Sequence, residues 1–504
     1  MDVLDLGRSE SDSRGQLQDP RLEVDCSADN ESAKVKSREE TSGTISNTHL
    51  MRGCRFQHFF ARLARPFTML KTNAFSQESS NTLSPHTREM IERRRRLLGP
   101  GYQLFYQNPL HLVRGEGVWV YDVEGQRYLD VYNNVPSVGH CHPHVVDALC
   151  RQARLLNTHT RYLDDNILDF AEKLLGTMPG ELSQAMFTCT GSEANDLAVR
   201  IARDYTGGTG VIVTSYAYHG LTSSIAELSS SQFAQIATSR DVRTVAAPRH
   251  DPQNPEEVGR RFAADVRAAL ADMRHHGIKP AALLLDSFFT SDGGFFDPPG
   301  FLREAVEVVR EAGGLYIADE VQPGYGRSGR HMWGFQCHGL VPDIVTLGKP
   351  MGNGHPMAGI TIKPQILQRF ANESGYFNTF AGNPVSSAVG LAVLEVIEQE
   401  NLIVNAHESG MLMLDGLKHL ATRHKVIGDV RGKGLYLGVD FTTPDGTPDA
   451  STAAKVVNGL REEHVLIGAA GPHINTLKIR PPLVFQSEHA EIFLDSLARV
   501  LERL

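Results

Sequence analysis

The chain has 504 residues, of which 41% are hydrophobic and 22% charged, with a net charge of -9. This length is enough for two or three domains, and the composition is that of an ordinary soluble globular protein. The negative charge gives no support to nucleic-acid binding, and no apolar run is long enough for a membrane-spanning helix. The six cysteines are scattered without a repeating spacing, which predicts a reducing, cytoplasmic compartment and no disulfide framework.

The first 83 residues differ from the rest of the chain. Residues 1–47 are rich in Ser, Asp, Glu and Arg and poor in aromatic side chains, a composition typical of disorder. The basic stretch 51–67 resembles a transit segment, but such segments usually begin a chain and avoid acidic residues, whereas this one follows an acidic stretch. We therefore expect residues 1–83 to be a disordered or dispensable extension, and the sequence permits Met69 as an alternative start.

Ordered structure is predicted to begin near Ser84. A serine before a proline is a helix-start signal, because serine caps free backbone N–H groups and proline fits the first helical position. Gly99, followed by a second proline, predicts the end of this helix. Two short strands are predicted next, over residues 117–122 and 126–130.

Between about residues 160 and 365, apolar segments alternate with helical stretches. Six apolar segments predict strands, over 185–188, 210–214, 281–285, 314–318, 344–347 and 359–362. Continuous apolar strands separated by helices are typical of a mostly parallel sheet with helices on both faces, so the expected fold class is α/β. From about residue 386 we expect a long helix, followed by a short α+β region that reaches the C terminus.

Lys349 and Asp319 each follow or end a predicted buried strand. A lysine withdrawn from water loses part of its preference for charge, and it can then form a Schiff base with an aldehyde. A lysine of this kind, together with an acid that pairs with a pyridinium nitrogen, forms the core of a pyridoxal phosphate (PLP) site. The two residues therefore predict PLP as the cofactor.

Three further segments have side chains that fit such a site. Gly191 and Ser192 open a helical run, where backbone N–H groups and a hydroxyl can bind phosphate, although a plain helix cap also explains them. Tyr218 can stack on a flat ring, although an isolated aromatic residue more often belongs to the core. Gln322, three residues after Asp319, is within reach of a ring hydroxyl.

Together these segments resemble, in order and spacing, the class III PLP-dependent aminotransferases. The resemblance covers about residue 100 to the C terminus and rests on residues 190–195, 218–220, 317–322, 347–349 and 377–384, with support from 138–143 and 427–438. It implies a fold-type I homodimer with active sites between the subunits. It also implies a large PLP-binding domain over 161–385 with a mostly parallel seven-stranded sheet. A small α+β domain would span 386–504, and residues 84–160 would belong to the small domain and the dimer interface.

The resemblance also implies roles for particular residues. Lys349 would form the internal aldimine and later move the substrate proton, and Asp319 would pair with the pyridine N–H. The other cofactor-binding residues would be Gly191 and Ser192 at the phosphate, Tyr218 stacked on the ring with His219 next to it in the chain, Gln322 near the phenolic oxygen and Thr379 reaching the phosphate of the partner subunit's cofactor.

Two segments depart from the family pattern. Lys478 stands three positions before a Pro-Pro pair, where enzymes that bind an α-carboxylate often carry arginine, and Arg480 lies two residues on, on the same strand face. Both are candidates to meet an anionic substrate group, although lysine lacks the bidentate fork of arginine and an exposed lysine explains Lys478 equally well. The stretch 286–294 lacks the usual Glu-Pro start, so a glutamate switch for ω-amino substrates is in doubt.

Alternating histidines at positions 140, 142 and 144 invite comparison with a metal site. No acidic or cysteine cluster completes such a site, and the resembled family has a structural turn here. We therefore expect no metal.

Residues 156–163 and 382–394 look like the alanine–glyoxylate aminotransferase 2-like branch, which includes phospho-lyases. We predict an aminotransferase that moves an amino group from an amino acid or primary amine to a keto acid such as pyruvate, by ping-pong chemistry. One alternative is a phospho-lyase acting on a phosphorylated amino alcohol or amino acid, and another is a dimeric scaffold that has lost catalysis. The expected partners are these small molecules and a second copy of the chain, without nucleic acid or membrane.

Overall fold

The computed structural model describes residue 75 and residues 83–231, 239–249, 251 and 253–504, all within one compact unit. The predictions of disorder, of a transit segment and of an alternative start at Met69 fall on residues outside this described part. Leu83, which the sequence assigned to the extension, is described and buried.

Some of the helices begin at a capping side chain. Helix α1 starts after Ser84, as predicted, because the Ser84 hydroxyl accepts a hydrogen bond of 3.1 Å from the N–H of Thr87. In the described residues the helices are α1 (Pro85–Leu98), α2 (Pro143–Ala153), α3 (Asp165–Leu175), α4 (Gly191–Thr206), α5 (Ser223–Ala226), α6 (Pro255–His275), α7 (Arg303–Glu311), α8 (Pro364–Glu373), α9 (Pro384–Gln399), α10 (Leu402–Arg423), α11 (Ala450–Glu462) and α12 (Ser487–Leu501).

The prediction of one long helix after residue 386 was wrong in one respect, since the structure has two helices there, α9 and α10. Asn401 between them adopts the left-handed conformation (φ +52°), which interrupts helical hydrogen bonding. No helix in the described part of the chain is long and apolar enough to cross a membrane.

The strands form three sheets. They are β1 (Leu112–Glu116), β2 (Trp119–Asp122), β3 (Arg127–Asp130), β4 (Gln184–Thr188), β5 (Gly210–Thr214), β6 (Val242–Val245), β7 (Pro280–Asp286), β8 (Leu315–Asp319), β9 (Ile344–Leu347), β10 (Ala358–Ile362), β11 (Ile427–Lys433), β12 (Tyr436–Phe441), β13 (Val465–Leu466), β14 (Gly468–Ala470) and β15 (Thr476–Ile479).

The central sheet has seven strands in the order β4-β10-β9-β8-β7-β5-β6, and only β10 runs antiparallel to its neighbours. This confirms the predicted mostly parallel seven-stranded sheet. Strands β5, β8 and β9 are buried along their whole length, which their continuous apolar sequences indicated. The sequence analysis missed β6, because this four-residue edge strand has two polar residues between its two valines and forms no continuous apolar run.

The other two sheets have four strands each. One has the order β1-β2-β3-β13 and contains the predicted strand pair, and the other has the order β11-β12-β15-β14 and carries Lys478. Because β13 pairs with β3, residues from both ends of the described chain share one sheet. The domain boundaries near residues 160 and 385 stay a prediction.

Candidate active site

The carboxyl ends of neighbouring parallel strands bring polar side chains to one edge of the central sheet. Asp286 at the end of β7 pairs in register with Asp319 at the end of β8, and Asp319 pairs with Thr346 of β9. Ligands of open α/β sheets bind at this edge. The pocket found here is lined by Gly191, Ser192, Tyr218, His219, Gly220, Asp286, Asp319, Val321, Gln322 and Lys349.

This pocket contains the residues that the sequence predicted for the site, except Lys478, Arg480 and Thr379. Lys478 and Arg480 lie behind it, where both contact Gln322. Thr379 is exposed and does not line the pocket. Asp286 was missed as a site residue, although its place at the end of an apolar strand is the same signal that identified Asp319.

Lys349 begins a short 3-10 turn directly after β9 and Gly348. Its φ of +25° is unusual for a residue with a side chain, and such strain is often found at functional sites. Burial, with the positive charge of Arg480 nearby, lowers the pKa of Lys349 to about 8. A large fraction of this amine is therefore neutral and nucleophilic near pH 8.

The Asp319 carboxylate is held by three donors. One oxygen accepts from His219 Nδ1 at 2.7 Å and from Asn195 Nδ2 at 3.0 Å, and the other accepts from the Val321 N–H at 3.0 Å. These bonds fix the carboxylate in the wall of the pocket. His219 Nε2 is buried and has no hydrogen-bond partner in the described part of the chain.

Asn195 connects three elements of the site, a role that its motif alone did not reveal. Its amide nitrogen donates to Asp319 and, at 2.7 Å, to the backbone carbonyl of His219. Its oxygen accepts a 2.7 Å hydrogen bond from the Thr346 hydroxyl on β9. The first turn of α4 is thereby bonded to the ends of β8 and β9.

The start of α4 forms a small cradle beside Asp319. Gly191 and Ser192 are the first residues of the helix, where backbone N–H groups have no partner within the helix. A Cβ atom on Gly191 would lie 3.1 Å from both methyl groups of Val321, and one on Gly220 would lie 2.5 Å from Ser192 Oγ. The absence of side chains at both positions allows this close approach, which brings a helix N-terminus, a favourable place for an anion, to the wall of the pocket.

A second series of hydrogen bonds runs through residues 286–294, the segment that departs from the family pattern. The Thr290 hydroxyl donates to Asp286, and it accepts from Gln322 Nε2 at 2.8 Å. Gln322 Oε1 accepts from Arg480 Nη1 at 2.6 Å and from Lys478 Nζ at 3.4 Å. Burial, together with the nearby charge of Asp319, raises the pKa of Asp286 to about 6.

Three basic side chains are buried on this side of the site, and two of them, Lys478 and Arg480, contact Gln322. Arg327, Lys478 and Arg480 are 2%, 8% and 7% exposed, and none forms an ion pair with a carboxylate among the described residues. Arg480 Nε and Arg327 Nη2 have no hydrogen-bond partner there. Burial and the charge of Arg480 lower the pKa of Lys478 well below its usual value.

The three alternating histidines do not converge on one point. His140, His142 and His144 pair with Asp130, Glu400 and Glu395, at 2.8, 2.9 and 2.6 Å. Across the described ranges, no group of three or more potential ligands is arranged to hold a metal ion.

Comparison with known proteins establishes the family. Residues 104–501 match the family model of the class-III aminotransferases, so the chain belongs to this family and the resemblance inferred from its motifs is confirmed. A Drosophila melanogaster protein named alanine–glyoxylate aminotransferase 2-like is 40% identical, over 81% of this chain and 85% of its own length. A Caenorhabditis elegans ethanolamine-phosphate phospho-lyase homolog 1 is 36% identical, over 82% of this chain and 93% of its own length.

Solved structures agree with the fold. A phospholyase from Arthrobacter in complex with phosphoethanolamine has a TM-score of 0.81 and 42% sequence identity, covering 82% of this chain and all of its own. A PLP-bound amine transaminase from an uncultivated Pseudomonas species has a TM-score of 0.72 and 26% identity, covering 79% of this chain and 95% of its own. The fold is therefore PLP fold type I, as predicted, and the cofactor is PLP.

The pocket residues fit this cofactor. The glycine cradle at α4 offers space and backbone donors for the phosphate, and the buried Asp319 carboxylate is available to a pyridine N–H. Lys349 would hold the aldehyde carbon, and Tyr218 is partly buried in the same wall.

Proposed function

We propose that the chain is a PLP-dependent phospho-lyase acting on a small primary amine with a phosphate on the neighbouring carbon, for example phosphoethanolamine. The observation that carries the proposal is the pair of buried basic side chains, Lys478 and Arg480, which both contact the pocket residue Gln322 and form no ion pair with a carboxylate in the described chain. The net reaction converts phosphoethanolamine and water to acetaldehyde, ammonia and phosphate.

The physical reason is charge compensation. Neither Arg480 nor Lys478 forms an ion pair with a carboxylate in the described chain, and a substrate dianion beside them would favour the charged form of both. The unpartnered Nε of Arg480 adds a donor that an anion can use. The similarity to a phospholyase that binds phosphoethanolamine supports the same choice.

The chain's own residues supply the remaining parts of the chemistry. Bound PLP withdraws electrons from the substrate carbon that carries the amine. Lys349, with its lowered pKa, accepts the proton from this carbon near neutral pH. A phosphate beside Lys478 favours the charged form of this lysine, and with Arg480 it then stabilises the negative charge on the phosphate as the bond to the neighbouring carbon breaks. Asp319 keeps its hydrogen bond to His219.

Transamination is the second candidate, with transfer of an amino group to a keto acid such as pyruvate by ping-pong kinetics. It is favoured by the match to the class-III aminotransferase family and by the name of the fruit-fly relative. The same Lys349 would move the proton back to the cofactor side, so the outcome depends on the leaving group of the substrate.

The test is an incubation of the PLP-loaded protein with phosphoethanolamine in the absence of a keto acid. We expect phosphate and acetaldehyde in equal amounts, whereas alanine formed from pyruvate without phosphate release would favour transamination. Lys478→Met should raise KM for phosphoethanolamine about 10- to 100-fold, the value of a hydrogen bond to a charged group. Lys425→Ala, at an exposed lysine, is the matched control and should change nothing.

Lys349→Ala should abolish either reaction. If the unmodified protein also lacks turnover and shows no absorption change with PLP, the inactive-scaffold alternative is supported instead.

We also propose that the active unit is a homodimer, located in the cytoplasm, in which Thr379 reaches the partner's cofactor. Exposed apolar residues near Thr379 support this proposal, since Leu163 is 100% and Phe380 71% exposed. A monomeric mass by sedimentation at micromolar concentration would contradict it.

A further inference from the structure

The segment that departs from the family pattern, between Asp286 and Thr290, contacts a residue of the PLP pocket. Thr290 is 1% exposed and bonds to Gln322 and Asp286 at once. Phe289, immediately before Thr290, has a φ of +52°, a strained conformation that folds the segment back on itself. A backbone hydrogen bond of 3.0 Å from Phe289 to Asp286 closes this turn.

The hydrogen bonds have one consistent direction. Ionised Asp286 can only accept, so the Thr290 hydroxyl must donate to it and can only accept from Gln322. Gln322 therefore presents its NH₂ group to Thr290 and its oxygen to Arg480 and Lys478. A rotated amide would place its NH₂ group against the Arg480 guanidinium, which cannot accept, and its oxygen against a hydroxyl that already donates to Asp286.

This orientation leaves one amide N–H of Gln322 uncommitted. An amide nitrogen has two N–H donors, and the bond to Thr290 uses one of them. Gln322 lines the pocket, so the second donor is available to an oxygen acceptor of the cofactor. We propose that Thr290, anchored on Asp286, is a positioning residue that holds the Gln322 amide as a donor toward bound PLP.

The experiment is a pH titration of the absorption of the PLP-loaded protein, which reports the cofactor and needs no substrate. A hydrogen bond donated to a cofactor oxygen stabilises the deprotonated form of the cofactor and so lowers the pH midpoint of this titration. Thr290→Val keeps the shape but removes the hydroxyl, and we expect the midpoint to rise by about 0.7 pH unit, as a hydrogen bond of typical strength implies. Gln322→Ala should give a similar rise, and Thr290→Ser should restore the original midpoint.

The double variant distinguishes positioning from a general structural effect. If Thr290 acts through Gln322, then Thr290→Val adds no further shift in the Gln322→Ala background. The matched control is Thr361→Val on β10 of the central sheet, since the Thr361 hydroxyl is buried without a hydrogen-bond partner in the described chain. The titration midpoint of this variant should equal that of the unmodified protein. An unchanged midpoint in Thr290→Val or in Gln322→Ala, or additive shifts in the double variant, would overturn the proposal.

Discussion

Removal of the Asn195 side chain should destabilise the protein far more than an ordinary buried amide. Asn195→Ala deletes a bond to the charged Asp319, a bond to the His219 carbonyl and a bond from the Thr346 hydroxyl. A bond to a charged group contributes about 2 kcal/mol and a neutral bond about 1 kcal/mol, so the free energy of unfolding should fall by roughly 4 kcal/mol.

The assay is equilibrium urea unfolding of the cofactor-free protein, followed by circular dichroism. Thr346→Val, which removes one neutral bond, should lower the free energy of unfolding by about 1 kcal/mol. In the Asn195→Ala background the same change should cost nothing, because the partner of the hydroxyl is already absent.

Asn475 provides a matched control, because it is also buried, but within the described residues its side chain donates only to the Phe441 carbonyl, at 2.9 Å. Asn475→Ala should cost about 1 kcal/mol. The reasoning fails if Asn195→Ala costs no more than this control, or if the costs of Asn195→Ala and Thr346→Val simply add.

Two further predictions concern cofactor capture. The rate at which cofactor-free protein captures PLP should rise about tenfold per pH unit below pH 8 and level off above pH 8. Burial and Arg480 lower the pKa of Lys349 to about 8, and only its neutral amine reacts with PLP. A capture rate, measured by stopped-flow absorbance, that stays constant from pH 6 to 9 would contradict this. Gly191→Ala should raise the dissociation constant of PLP about tenfold, because the added Cβ would crowd Val321 at 3.1 Å and narrow the phosphate cradle. Gly180→Ala, whose Cβ would have no atom of the described chain within 4 Å, should leave the PLP affinity measured by fluorescence unchanged.

The features that sequence analysis predicted correctly are local ones. The apolar runs of β5, β8 and β9 indicate buried strands wherever they occur, and Ser84 caps α1 with atoms only three residues apart. The family motifs extended this to the fold type and the cofactor, because they are short contiguous segments with fixed spacing. The edge strand β6 was not predicted, because its two valines are separated by two polar residues and give no comparable local signal.

The amino-acid sequence by itself therefore determined that a lysine and an acid stand at strand ends in a PLP fold, since strand formation and capping depend on near neighbours. Only the tertiary structure decided what surrounds them. Asn195 meets Asp319 across 124 residues, and Arg480 meets Gln322 across 158. Such contacts depend on strand order, register and the packing of α4 on the sheet, which no short segment specifies.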